Sequence, residues 1–315
     1  MELFEWNFEF RVKEGTIVPV VFAYIFVVII WSTTPLAIQW SNSSLSFIGA
    51  VTLRMVLALI VSLLLLSALR QPLIKQASDW KAFAAGCIGI FPNMLLVYWS
   101  AQYIPSGLMA VVMGVYPFLV GVFAYFFLKE NVFTIARLCA LCMAVAGLVL
   151  IQSEQLAMGS RAVLGVVGML SSAVLFALSS VWLKALGGGV DPLRQSTGVL
   201  LLAVPCFVVT WWLTDGTLPA DVDMKSIGGV AYLVIAGSVV GHTLFFYVLR
   251  YCTVGTVSLI TLITPVIAML IGLYAADEVV TLKGGIGAAL IVLSLAVYQD
   301  VGRWLARWLR GSASH

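Results

Sequence analysis

"GLMAVVMGVYPFLVGVFAYFFLKENV" (residues 107–132) is apolar over most of its length, holds Pro117 near its middle and closes on Lys129 and Glu130. A second stretch, "GTVSLITLITPVIAMLIGLYAADEVV" (residues 255–280), aligns with it without a gap at an offset of 148. Gly107 meets Gly255, Pro117 meets Pro265, Glu130 meets Glu278 and Val132 meets Val280. Extended backward, the same offset pairs Tyr103 with Tyr251 and Gly89 with Gly237. A helix-central proline deletes a backbone hydrogen bond, so two prolines at matched depth are more telling than a few matched aliphatics. The chain reads as two copies of one unit.

Composition says what solvent the unit needs. Hydrophobic residues make up 62% and charged residues 10%, with a mean hydropathy of +1.08. Ordinary soluble domains are about 45–50% apolar and about 25% charged, so lipid must be part of this chain's surroundings. Windows of about 20 apolar residues fall near 17–38, 46–69, 82–102, 105–128, 132–152, 162–185, 192–213, 227–250, 255–276 and 282–300. The expected fold is an all-α integral membrane protein of ten transmembrane helices, arranged as two five-helix repeats, 17–152 and 162–300. Five is odd, so the second repeat enters the membrane from the opposite face and is inverted relative to the first. Asp191 is placed to cap the seventh helix with Pro192 in its first turn, and "SGL" opens the fourth after Pro105.

The basic residues orient these spans. With the N-terminus inside, thirteen Lys and Arg fall on the inner side and only Arg161, Lys225 and Lys283 on the outer side. That bias places both termini in the cytoplasm. Residues 1–16 read as a cytoplasmic arm rather than a secretory signal, because four Glu stand among its first 14 residues. Residues 301–315, with "RWLARWLR", form a basic cytoplasmic tail, either an interfacial helix or a solubilising end. The five cysteines lie in apolar stretches, and Cys139 and Cys142 read as packing rather than as a metal or redox pair.

One basic residue is left over. Arg54, in "VTLRMVLALIVSLLLLSAL" (51–69), lies about 12 Å inside its helix end at 1.5 Å per residue. A charge near the bilayer centre costs at least roughly 2.5–3.5 kcal/mol, so it must face the bundle interior. Two roles stay open. It is either a clamp on backbone carbonyls or an anchor for a substrate carboxylate through its planar fork.

Ten helices in two inverted halves, "LRMVLALI" (53–60) in the second helix, a central proline in the fourth and ninth, and a Glu directly after each resemble the drug/metabolite transporter superfamily. The repeat resembles that superfamily's EamA-type unit over residues 17–300. The resemblance implies export of amino acids or related small metabolites across a bacterial inner membrane by a multi-pass protein, without implying which metabolite. The family's arginine matches Arg54. The corresponding place in the second half, "PLRQSTGVLLL" (192–202), has Gln195 near that depth and Arg194 closer to the inner face.

The remaining polar residues narrow the chemistry. All 14 carboxylates fall in termini, loops or span ends, which leaves intramembrane aspartyl chemistry and the simplest buried-acid proton relay without a group to use. His242, in "AGSVVGHTLFFYVLR" (236–250), is either a neutral hydrogen-bonded residue or a titrating cavity group. No GxSxG and no zinc-ligand set accompanies it, so no catalysis, metal or cofactor is expected. Pro35, Pro92, Pro117, Pro205 and Pro265 mark kinks, where unpaired carbonyls persist only beside protein or a wet cavity. "WSTTP" (31–35), "FPNM" (91–94), "VYP" (115–117), "LITP" (262–265) and "FALSSVW" (176–182) set polar or aromatic groups at those depths. The expected cavity residues are Trp31, Thr34, Arg54, Asn93, Tyr98, Tyr116, Ser179, Trp182, His242, Tyr247 and Thr264. Glu130 and Glu278 are either helix ends at the water boundary or gate residues. Gly165, Gly168, Gly284, Gly285 and Gly287 suit close helix contact, with a dimer face as the other use of the three in the tenth span.

The function these residues predict is alternating-access transport of a small amphipathic molecule such as an apolar amino acid. A non-transporting sensor or scaffold is the alternative. The expected partners are a small-molecule substrate and membrane lipid, with no nucleic acid, and the protein is a monomer or homodimer.

Overall fold

The computed structural model describes residues 17–129, 134–157, 160–187, 189–217, 219–258 and 281–298, together with 260, 261, 264, 267 and 271. The N-terminal arm, the C-terminal tail, Pro265, Glu130 and Glu278 lie outside the described residues. What is described is all-helical. Among the described residues, six helical stretches are long and apolar enough to cross a membrane: Val18–Ser41, Phe47–Ala68, Ser106–Leu128, Arg161–Ala185, Pro192–Thr214 and Met224–Tyr251.

The first half begins with α1 (Ile17–Ser41) and α2 (Phe47–Ala68). Helix α1 is apolar on all sides, as a lipid-facing rod must be. Phe22, Phe26 and Ile29 are exposed along one stripe, while Val20, Val27 and Ile38 are buried on the other. Ser46 caps α2, its hydroxyl accepting from the Gly49 N–H at 3.1 Å. The stretch expected as one third span is instead two short helices, α3 (Asp79–Cys87) and α4 (Asn93–Ser100). Pro92 has no N–H and stands immediately before α4, so the helix stops there and restarts. The expected fourth span is also divided, into α5 (Ser106–Met113) and α6 (Tyr116–Leu128), with Pro117 in the first turn of α6 where it costs no bond. Helix α7 (Ile135–Ala157) follows.

The second half runs through α8 (Ser160–Ala185) and α9 (Pro192–Thr214). Asp191 caps α9, accepting from the Leu193 N–H at 3.1 Å. Helix α10 (Met224–Tyr232) continues through a π-helical segment, Leu233–Val240, into α11 (Gly241–Tyr251). Short α12 (Val254–Ser258) and α13 (Leu282–Tyr298) complete the described chain. Pro35 and Pro205 lie inside unbroken helices, and Pro205 is on the outer surface.

Packing crosses between the halves. Helix α2 lies on α9 and α7 on α13. Helix α4 packs on α8, as α11 does on α1; α3 packs on α9, as the π segment does on α2. Small residues permit these approaches. A Cβ at Gly198 of α9 would come within 2.4 Å of the Phe83 ring on α3. One at Gly168 of α8 would come within 2.3 Å of Ser100 Oγ, and one at Gly147 within 2.7 Å of the Gly287 carbonyl. Gly287 therefore serves contact within the chain.

Candidate functional site

The interruptions leave a cavity of about 110 Å³, bounded by residues of α1, α2, α4, α5, α8, the π segment and α11, with Thr261 and Thr264. A single water needs roughly 10–15 Å³ on the same measure, so this is space for an organic molecule. Of the expected cavity residues, Trp31, Thr34, Arg54, Asn93, His242 and Thr264 line it. The other five stand elsewhere. Tyr98 touches Arg54 from behind. Tyr116 donates to Ser180 at 3.0 Å and lies against Phe176, ring centroids 5.1 Å apart. Ser179 donates to the Ala85 carbonyl at 2.7 Å, tying α8 to α3. Tyr247 stacks on Tyr251. Trp182 is 38% exposed on the outer surface, where an amphipathic ring suits the membrane boundary.

Four methionines in the wall, Met94, Met109, Met113 and Met169, have no counterpart in the sequence reading. Met109 and Met113 are four apart on α5, and Met169, Ser172 and Phe176 recur at helical spacing on α8. That periodicity was the available signal, though a lipid-facing stripe has the same period. Thioethers are flexible and polarizable and conform to varied apolar shapes. Beside them Trp31 and Phe176 meet edge to face at 5.6 Å, and Phe245 completes the cluster at 5.0 Å from Trp31.

The hydroxyls lining the wall have already given their protons away. Thr34 donates to the Ile30 carbonyl at 2.8 Å, Thr261 to Ser258 at 2.7 Å and Thr264 to Ile260 at 2.7 Å. What they keep is acceptor lone pairs. Asn93 is engaged at both ends: its amide donates to the Gly89 carbonyl at 2.7 Å, and its oxygen accepts from Ser172. The Asn93 bond satisfies a carbonyl left over by the break before α4.

Donors come from elsewhere. Arg54 is 1% exposed. Its Nε donates to Ser238 Oγ at 2.9 Å and its Nη1 to Tyr98 Oη at 3.4 Å. These partners are hydroxyls, not the backbone carbonyls of a clamp. The guanidinium fits against the π segment because Gly237 has no side chain; a Cβ there would come within 2.9 Å of Nη2. His242 is buried, and its Nδ1 has no hydrogen-bond partner among the described residues.

Each end of the bundle is tied across the halves. At one end Arg194 pairs with Asp79 and also donates from Nε to the Pro72 carbonyl at 2.8 Å. Burial alone would raise the Asp79 pKa, but the Lys75 and Gln76 N–H donors and the guanidinium hold it below the usual carboxylate range. Gln195 donates to the Ala82 carbonyl at 2.8 Å and binds α9 to α3 rather than lining the cavity. Lys184 caps the end of α11, donating to the Cys252 carbonyl at 2.7 Å. At the other end Asp223 accepts from Ser43 at 2.7 Å and Ser44 at 3.1 Å, and from the Ser226 N–H at 2.7 Å. Those bonds, from the Ser43 hydroxyl first, hold its pKa down at about 2.

A helical membrane protein with a largely apolar, thioether-lined cavity where its two halves meet suits the transporter class, and the comparisons agree. The EamA-like transporter family matches residues 18–153 and again residues 163–298. This chain belongs to that family, within the drug/metabolite transporter superfamily. It is 25% identical over 268 residues to an Archaeoglobus fulgidus protein described as an uncharacterized transporter, covering 85% of this chain and 94% of the relative. It is 22% identical over 235 residues to the protein PecM of Dickeya dadantii, covering 72% and 76%. A solved crystal structure shares the fold with a TM-score of 0.67 at 18% identity, over 91% of this chain and 99% of the other. The protein is a multi-pass membrane protein of a transporter family.

Proposed function

We propose that the protein is a ten-helix exporter of small amphipathic metabolites, amino acids foremost, working by alternating access between the inverted halves 17–152 and 162–300. It sits in a bacterial inner membrane with both termini in the cytoplasm. The observation that carries this is the cavity itself: α1, α2, α4 and α5 of one half and α8, the π segment and α11 of the other all line one space of about 110 Å³. The cross-half contacts support a pseudo-twofold pairing of the halves. Exchanging the halves maps α2 on α9 and α7 on α13 onto themselves, and maps α4 on α8 onto α11 on α1.

The two ties at opposite ends fit a rocking motion in which each opens in turn while the cavity stays fixed. An apolar wall, Thr acceptors and an Arg–His donor pair suit a zwitterion with an apolar side chain. Phosphorylated sugars want several Lys or Arg and polycations want carboxylates, and the wall offers neither. Cells overproducing the protein should release preloaded apolar amino acids faster than cells carrying an empty vector. Unchanged efflux across all twenty, with the protein present in the membrane, would overturn the reading. A scaffold would additionally show no thermal stabilisation by any metabolite in detergent.

A further inference from the structure

We infer that the Arg54–His242 side of the cavity is a carboxylate subsite that sets charge selectivity, an inference resting on the transport reading above. Arg54 is an uncancelled buried charge. Among the described residues the ion pair is that of Arg194 with Asp79, at the end of the bundle. The sequence holds no Asp or Glu between residues 255 and 276, so the partly described ninth span supplies no acid either. A guanidinium buried to 99% in a membrane interior without a counter-charge is a costly group, and a ligand anion offsets that cost.

Its donors are divided between holding and binding. Nε and one Nη1 hydrogen are taken by Ser238 and Tyr98, which hold the plane of the fork. Nη2 lies over the bare backbone of Gly237, and both residues line the cavity. His242 follows Ser238 by four residues, lines the same cavity and keeps an unpartnered Nδ1 in a buried setting. With the proton on Nδ1 the imidazole donates to the anion that Arg54 receives. The threonines, with only lone pairs left, accept from an ammonium but repel a second carboxylate. The subsite therefore admits monocarboxylates and zwitterions through the acid end, and rejects amines that lack one.

The test uses purified full-length protein in lipid nanodiscs and four matched probes: 3-phenylpropionate, phenylalanine, phenylalaninamide and phenethylamine. The expected result is measurable binding of both carboxylates, with the amide and amine weaker by about tenfold or more, the scale of a lost charge-assisted hydrogen bond. Arg54→Gln should abolish that ratio while leaving residual binding of the amide, and Arg54→Lys should restore only part of it. Gly237→Ala should reduce the ratio by crowding Nη2, and His242→Gln should reduce it less than Arg54→Gln. An amine preferred over its carboxylate analogue, or a ratio unmoved by Arg54→Gln, overturns the subsite and leaves transport standing. Failure of both carboxylates to bind in a protein that exports metabolites from cells overturns the subsite alone.

Discussion

Arg54 and Arg194 are both buried arginines on helices that pack against each other, α2 and α9. Their surroundings differ in kind. Arg194 sits in the first turn of α9 with a carboxylate and two carbonyls on its donors, so its charge is cancelled where it stands. Arg54 is deeper, has two hydroxyls and no acid among the described residues, and borders open space. The same side chain is thus a fastener in one place and an open valence in the other. What separates them is the company each keeps, since both are buried alike.

Removing the partners should expose that difference. The largest effect is expected for Asp79→Ala, which strands the Arg194 charge. Breaking a buried pair costs roughly 3–5 kcal/mol, and the pair's place at a helix start puts it at the lower part of that range. Thermal unfolding in detergent measures it, and adding Arg194→Met should recover part of the loss. Next is Gly198→Ala, which drives a methyl into Phe83 beneath the same fastener and should cost about 1–3 kcal/mol. Arg54→Gln should change stability by only about 1 kcal/mol, because lost hydroxyl bonds are offset by relief of a desolvated charge. Its efflux, in contrast, should fall to the vector level. An Arg54→Gln protein that unfolds as readily as Asp79→Ala would erase the contrast.

The smallest effect belongs to the far end. Asp223 is ionised in the fold down to about pH 2, below its ordinary value of 3.8. Its contribution is therefore complete above the ordinary value and drains as pH falls through about 2. Asp223→Asn should flatten that acid limb of a stability profile, through a small loss of stability at neutral pH that disappears as pH falls to about 2.

Much of this architecture was legible because lipid imposes a plain rule on sequence: about 20 apolar residues per crossing. The repeat was legible because prolines at matched depth are rare enough to notice. Two of the interruptions were unequally readable. "FPNM" announces the break before α4 through Pro92, whereas "LVIAGSVV" (233–240) has no proline and its π winding is invisible in composition. In the cavity, charge and imidazole stood out against an aliphatic background, so Arg54 and His242 could be picked. The methionines could not, since at helical spacing they look like any lipid-facing residue. Trp182 and Tyr247 misled in the opposite way, because aromatic rings at span ends serve the membrane boundary as readily as a ligand.

The π segment has a last implication. Its hydrogen bonds reach one residue further than those of the helices on either side. Losing a single residue there would let the backbone close up into ordinary winding instead of tearing. A π turn holds one residue more than an α turn for nearly the same rotation, so Gly241–Tyr251 would keep its face toward the bundle and His242 its place in the wall. In this region one codon of length is slack, and a homologue shorter by one residue there would present the same face to whatever it carries.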